Sequence, residues 1–226
     1  MAERAGLGGK ERDSLASLLR TLYSVFRKYD ALMTEINPLV RTVDGAYLAL
    51  DAKVEIDDSA LYRHNGLKLE LEERIPNPLE RKGQQIGVTY VDLDGDIGII
   101  ASGAGLGMAT MDIIGRRLRP ANFLETGGAI TADLLYQAMA LVVPKKNVRA
   151  VFINLYGGIN PIHEGARGIV RYIQEHGVTI PVVAKALGNR QEETWEILRS
   201  GGVRVVTDVA TEKGVEELAR LLEGRG

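Results

Sequence analysis

Val148-Arg149-Ala150-Val151-Phe152-Ile153-Asn154-Leu155-Tyr156-Gly157-Gly158-Ile159-Asn160 is a long apolar, β-branched run that ends on a pair of glycines. A strand with one wet face alternates apolar and polar residues, whereas a continuous run reads as a strand covered on both faces, as in a parallel sheet between helix layers. Working outward, the pattern repeats. Apolar runs at Ile97–Ala101, Phe123–Leu124, Pro181–Ala186 and Val203–Val206 alternate with helical spacing near 107–118, 131–143, 164–176, 190–200 and 211–223. Residues 83–226 are therefore expected to form a doubly wound α/β domain with a parallel sheet. Such a sheet opens a crevice beyond the carboxyl ends of its strands, where the winding reverses, and ligand-binding groups are sought there.

Residues 1–82 read differently. Leu15, Leu18, Leu19, Leu22, Val25, Phe26 and Tyr29 are spaced for one buried stripe on a helix over 11–29. Two strand-like runs, 31–42 and 46–54, flank Val43-Asp44-Gly45, a hairpin turn. The stretch 57–82 is charged, contains Pro76 and Pro78, and is expected to be a short helix followed by a linker.

The bulk numbers exclude several function classes. With 28 basic against 30 acidic residues, the net charge of −2 provides no electrostatic footprint for nucleic acid or an anionic membrane. Without cysteine there can be no disulfide, thiolate nucleophile or cysteine-held zinc, and His64, His163 and His176 lack metal-ligand spacing. No apolar run approaches the ~20 residues needed to span a bilayer. A cytoplasmic protein is expected.

Two constellations could carry chemistry. A three-residue loop at 43–45 would place Thr42 opposite Ala46, Asn37 opposite Asp51 and Glu35 opposite Lys53, with Leu32, Ile36, Leu48, Leu50 and Val54 on the other, core-facing side; a two-residue loop would shift the register by one and undo these pairs. Opposed side chains lie about 5 Å apart at Cβ. Asn37 and Asp51 then offer two hard oxygens of the kind that hold Mg²⁺ together with substrate phosphates. Lys53 could complement phosphate charge, and Glu35 could orient or accept a proton. The same four residues read equally well as a solvated hairpin face. The second constellation is a series of glycines after apolar strands, at 103–107, 127–128, 157–158 and 188. Helix amino termini with free amides attract carboxylates and phosphates, and glycine lets a ligand approach the backbone. Neither the G-x-G-x-x-G nor the G-x-x-x-x-G-K-[ST] nucleotide fingerprint is present. His163, beside the third glycine pair, is read as a surface histidine, and Trp195 as packing a helix on the sheet.

The wording of these motifs is more specific than their spacing. Glu35-Ile36-Asn37-Pro38-Leu39, Leu50-Asp51-Ala52-Lys53, Gly103-Ala104-Gly105-Leu106 with Met108-Ala109-Thr110-Met111-Asp112, Pro120-Ala121-Asn122-Phe123-Leu124 with Gly127-Gly128, and Asn154-Leu155-Tyr156-Gly157-Gly158-Ile159 resemble, in order, the β subunits of succinyl-coenzyme A synthetases (succinate–CoA ligases). The resemblance implies a partial ATP-grasp α+β segment over 1–82 and a flavodoxin-like CoA-ligase domain over 83–226. It implies phosphoryl transfer from ATP or GTP to a histidine on an α-type, coenzyme A-binding partner, then to a carboxylate, then displacement by the coenzyme A thiol. Asn37 and Asp51 would match the Mg²⁺ ligands, and Glu35 the acid near the travelling phosphohistidine. Ser102, Gly158, Ile159 and Asn160 would line the pocket for a small carboxylic acid. Members usually carry Asn at the position of Ser102 and a basic residue at that of Pro161, so the acid expected is a related dicarboxylate or another acid. The lobe that supplies most of the adenine pocket is expected on a separate polypeptide. The alternative is a non-catalytic module that docks on an α-type protein or binds an acyl ligand; an unrelated phosphate ligand on the flavodoxin-like domain is a third reading.

Overall fold

The computed structural model describes residues 8–67 and 74–224. Its contacts divide the chain into two compact units, Met1–Leu69 and Glu70–Gly226.

The first unit opens with α1 (Gly9–Lys28), which places Glu11 in its first turn and Arg27 and Lys28 in its last, each where the helix dipole favours that charge. α1 packs on β1 (Ala31–Ile36), which pairs antiparallel with β4 (Ala52–Ile56), while β2 (Leu39–Arg41) pairs with β3 (Tyr47–Ala49). The turn is the expected three-residue loop. Thr42 donates its amide to the Ala46 carbonyl at 2.9 Å, and Gly45 takes φ 85°, a conformation that favours glycine. Glu35 therefore faces Lys53, and beyond Ile36 opposite Ala52 the ladder is interrupted at the cis Asn37-Pro38 bond.

The expected apolar side of this hairpin needs correction. Leu32 is 62% exposed and Leu50 60%, with Leu48 and Val54 about half exposed. The register shifts between Ala31 and Met33, leaving Leu32 as a bulge residue that turns out of the ladder. In addition, α1 is this unit's only α-helix among the described residues, and none of its residues is fully buried.

The second unit is built on six strands in the order β10–β9–β8–β6–β7–β5. These are β5 (Thr89–Asp92), β6 (Ile97–Ala101), β7 (Asn122–Glu125), β8 (Ala150–Gly157), β9 (Val182–Gly188) and β10 (Arg204–Val206). All are parallel except β5, an antiparallel edge strand on β7 that the periodicity did not reveal. Its helices are α2 (Pro78–Ile86), α3 (Ala104–Gly115), α4 (Ala132–Val142), α5 (His163–His176), α6 (Gln191–Ser200) and α7 (Thr211–Glu223).

Two helix starts differ from the sequence reading. α2 occupies part of the expected linker. Its signals were nevertheless present: the Asn77 side chain caps the amides of Leu79 and Glu80, Pro78 stands in the first turn, and Gly87 ends the helix at φ 83°. α3 begins at Ala104 rather than near 107, so Gly105 and Gly107 are helical and only Ser102 and Gly103 form the loop. Gly107 is required by packing instead: a Cβ there would stand 2.8 Å from the Phe123 ring.

The sheet is covered on both faces, and its strands alternate accordingly. Leu124, Ile153, Leu155 and Ala184 join Leu135, Met139 and Ile169 in the larger core cluster, against which Trp195 packs. Ile97, Ile99, Phe152 and Val183 join Ile114, Val215 and Leu218 on the opposite face. Burial of this apolar area, at roughly 25 cal/mol per Å², is what holds the layers together.

Candidate functional site

The chain leaves β6 toward β7 on one side and returns to β8 on the other, so the winding reverses between β6 and β8. At the carboxyl ends of these strands a cavity of about 530 Å³ is lined by Ser102, Gly158, Ile159 and Asn160, the four positions expected to hold an acid, and by residues of the second glycine loop. One helix amino terminus opens on it without a side-chain cap, that of α3 at Gly103. First-turn amides left without intrahelical partners favour an anion.

The polar side chains here brace loops. The Ser102 hydroxyl accepts from the Tyr156 amide at 2.7 Å and donates to the Tyr156 carbonyl at 3.2 Å. Asn160 Nδ2 donates to the Gly128 carbonyl, tying the third glycine loop to the second. Glu125 also lines the cavity; its carboxylate accepts from the Gly127 amide at 2.8 Å and from the Thr89 hydroxyl at 2.7 Å. What remains open to a ligand is chiefly backbone.

One supporting residue escaped sequence reasoning. Asn189 donates from its side chain to the Ile159 carbonyl at 2.7 Å and from its amide to the Gly157 carbonyl at 2.7 Å, and its own carbonyl accepts from the Ile162 amide at 3.3 Å. It clamps the loop 157–162 from both ends. The available signal was its place directly after Gly188, at the end of an apolar run. Gly188 takes φ 114°, and a Cβ there would lie 2.1 Å from the Gly157 carbonyl oxygen. The reading of His163 as a surface residue is corrected: it is 5% exposed, because α5 begins there and folds the ring inward, with Nε2 3.1 Å from Arg190 Nη1 and 3.1 Å from Glu164 Oε1.

In the first unit the hairpin register brings the other predicted residues together. Glu35 is opposite Lys53; beyond them the Asn37 amide donates to the Asp51 carbonyl at 3.3 Å and the Leu50 amide to that of Pro38 at 3.2 Å. All four side chains are exposed. Asn37 Nδ2 donates to Glu35 Oε1 at 3.0 Å, which leaves the amide oxygen of Asn37 free, and Asp51 engages one carboxylate oxygen with the Ala52 amide at 2.8 Å. One free amide oxygen and one free carboxylate oxygen suit Mg²⁺, which takes few protein ligands and completes its shell with water and phosphate. Among the described residues no cluster of three or more His, Cys, Asp or Glu could hold a metal unaided.

No helix among the described residues is long and apolar enough to cross a membrane. The CoA-ligase family model matches residues 100–218. The chain is 44% identical over 199 residues to the succinate–CoA ligase [GDP-forming] subunit beta of Thermus thermophilus, covering 88% of this chain and 52% of that protein. Identity is 42% over 222 residues to the [ADP-forming] subunit beta of Desulfurococcus amylolyticus, covering 98% and 58%. Thus the chain spans little more than half the length of these curated relatives. Its fold matches that of ATP citrate lyase from Methanothrix soehngenii, solved with citrate and coenzyme A, with a TM-score of 0.77 at 18% identity over 94% of this chain and 60% of that one. With more than half of its residues matched to the family model, and with the flavodoxin-like sheet that carries the glycine loops, this chain belongs to the CoA-ligase family.

Proposed function

We propose that this chain is the β-type component of an NDP-forming acyl-CoA ligase, in which it contributes magnesium-nucleotide and acid-binding groups. On this reading the first unit is a partial ATP-grasp segment and the second the CoA-ligase domain. An α-type subunit binds coenzyme A and carries the histidine that is transiently phosphorylated.

The observation that carries the reading is the hairpin register, which sets Asn37 against Asp51 and Glu35 against Lys53. Bound Mg²⁺ would neutralise nucleotide phosphate charge during transfer. Asn37 and Asp51 would hold it, each through its free oxygen. Lys53 would add a cation on the same polar face, and Glu35, hydrogen-bonded to Asn37, would fix the amide orientation and receive the incoming histidine. In the second unit, the amides at the start of α3 would hold the acid's carboxylate while phosphate is transferred to it. The nucleotide, ADP- or GDP-forming, follows neither relative in particular.

The test is co-expression of the protein with candidate α-type partners and an assay for acid- and coenzyme A-dependent nucleoside diphosphate release. Asn37→Ala and Asp51→Ala should each lower magnesium-dependent turnover at least 100-fold while leaving assembly intact. Turnover within threefold of wild type would refute the assignment. A second reading, a docking module without turnover, draws on the exposed Leu32, Leu48, Leu50 and Val54; it predicts partner binding with no activity in any combination.

A further inference from the structure

We infer that the cavity at the β6–β8 switch selects an acid with one carboxylate and an uncharged, largely apolar remainder, in preference to a dicarboxylate. This rests on the proposed ligase function and adds the chemical class of its substrate.

The cavity holds one formal charge, and it is negative. Glu125 lines it, while no lysine, arginine or histidine does among the described residues. A first carboxylate is accommodated by the uncapped amino terminus of α3, whose Gly103 and Ala104 line the cavity, because backbone amides carry partial positive charge. A second carboxylate would have no such partner. The Ser102 hydroxyl has one proton, already donated to the Tyr156 carbonyl, and one of the two N–H groups of the Asn160 amide is engaged by the Gly128 carbonyl, so the side chains leave a single neutral N–H, and no cation, to face it. The adjoining cavity of about 350 Å³, which shares Gly128, Ile130 and Asn160, has no basic side chain in its lining, and its Glu164 carboxylate is paired with Arg167 at 3.4 Å. A dicarboxylate would therefore bring an unpaired charge toward the Glu125 carboxylate.

The remaining walls favour hydrocarbon. Ile130, Tyr156 and Ile159 line the larger cavity, and the latter two are 62% and 91% exposed, so they keep apolar surface that a ligand's tail could cover. Burial of one methylene is worth about fourfold in binding, so affinity should rise with chain length until the cavity is filled.

The experiment uses the full protein in complex with its α-type subunit. Phosphorylation of the partner histidine by nucleotide, without acid or coenzyme A, is measured first. Then kcat/KM is compared for acetate, propionate, butyrate and hexanoate against malonate, succinate and glutarate. The expected result is phosphohistidine formation with butyrate preferred to succinate at least tenfold, and a rise from acetate to butyrate. Phosphohistidine formation with succinate equal or preferred overturns the substrate class and leaves the ligase reading standing. Absence of phosphohistidine overturns both. Ile159→Arg, at a solvent-facing position that folding does not need, supplies the missing cation and should move the succinate-to-butyrate ratio tenfold or more toward succinate; an unchanged ratio also overturns the inference.

Discussion

Gly188→Ala should be among the most damaging single-methyl additions to the loop system around the cavity, and Gly158→Ala among the mildest. At Gly188 the new Cβ would sit 2.1 Å from the Gly157 carbonyl oxygen and 2.9 Å from its carbonyl carbon, and φ is 114°. A non-glycine residue in such a sparsely populated region costs about 1–3 kcal/mol. The clash cannot be relieved by a side-chain rotation, because the opposing atoms are backbone of a paired strand, and forced separation of packed elements costs typically about 1–3 kcal/mol more. The sum is about 4 kcal/mol. At Gly158 the nearest atom to an added Cβ is Tyr156 Cε1, at 3.8 Å, an ordinary contact. Trp195 is the chain's only tryptophan, and its indole donates to the Ala186 carbonyl at 2.6 Å, two residues from Gly188. Urea unfolding followed by its fluorescence therefore reports the second unit. With an m-value of about 2.5 kcal/mol/M, Gly188→Ala should lower the midpoint by about 1.6 M. Gly158→Ala should lower it by less than about 0.4 M. A Gly188→Ala midpoint within 0.4 M of wild type, by the same slope, would show that the β8–β9 ends do not set the loop as described.

Three further outcomes follow from the polar groups. Ser102→Ala removes the brace on Tyr156 and should cost about 1 kcal/mol in urea unfolding; since the hydroxyl has no proton left to donate, the reconstituted enzyme's KM for acid should change less than threefold. Lys145→Met strips Asp92 of a partner at 2.6 Å and should cost about 2 kcal/mol at pH 7. Burial alone would raise the Asp92 carboxyl, but hydrogen bonds from Lys145 and Asn77 outweigh it and hold the group below 3.8. A lowered folded value means the contribution is complete above 3.8 and is lost as pH falls through the folded value, so the wild-type advantage should shrink there; a difference independent of pH would exclude the ion pair as its source. Lys185 is 6% exposed, and burial pushes its ammonium below 10.5 against the opposing pull of Asp208 and Glu212. Its folded charge is then a cost, complete below the lowered folded value and gone by 10.5. Lys185→Met should accordingly stabilise the protein by about 1 kcal/mol at pH 7, with the gain vanishing as pH approaches 10.5; destabilisation at neutral pH would contradict this.

The sequence by itself determined the parallel core of the second unit, because short, largely apolar, β-branched runs such as Val151–Leu155 alternate with stretches of helical spacing. For the hairpin it offered a register without fixing it, since a two-residue loop would have shifted every pair by one; the three-residue turn at 43–45, with Gly45 in the conformation it needs, is seen only in the structure. Short-range signals that were present but outweighed account for α2 and the start of α3: Asn77-Pro78 lay in a charged stretch read as linker, and helical Gly105 and Gly107 looked like loop. Only the tertiary structure decided what the polar residues around the cavity do. That Ser102 and Asn160 brace neighbouring loops, that Asn189 clamps the third glycine loop, and that Leu32 turns out of the hairpin all depend on contacts between residues far apart in the chain or on a one-residue bulge. Local periodicity carries no information about such contacts, whose geometry is set only when the strand ends are brought together by burial of the core.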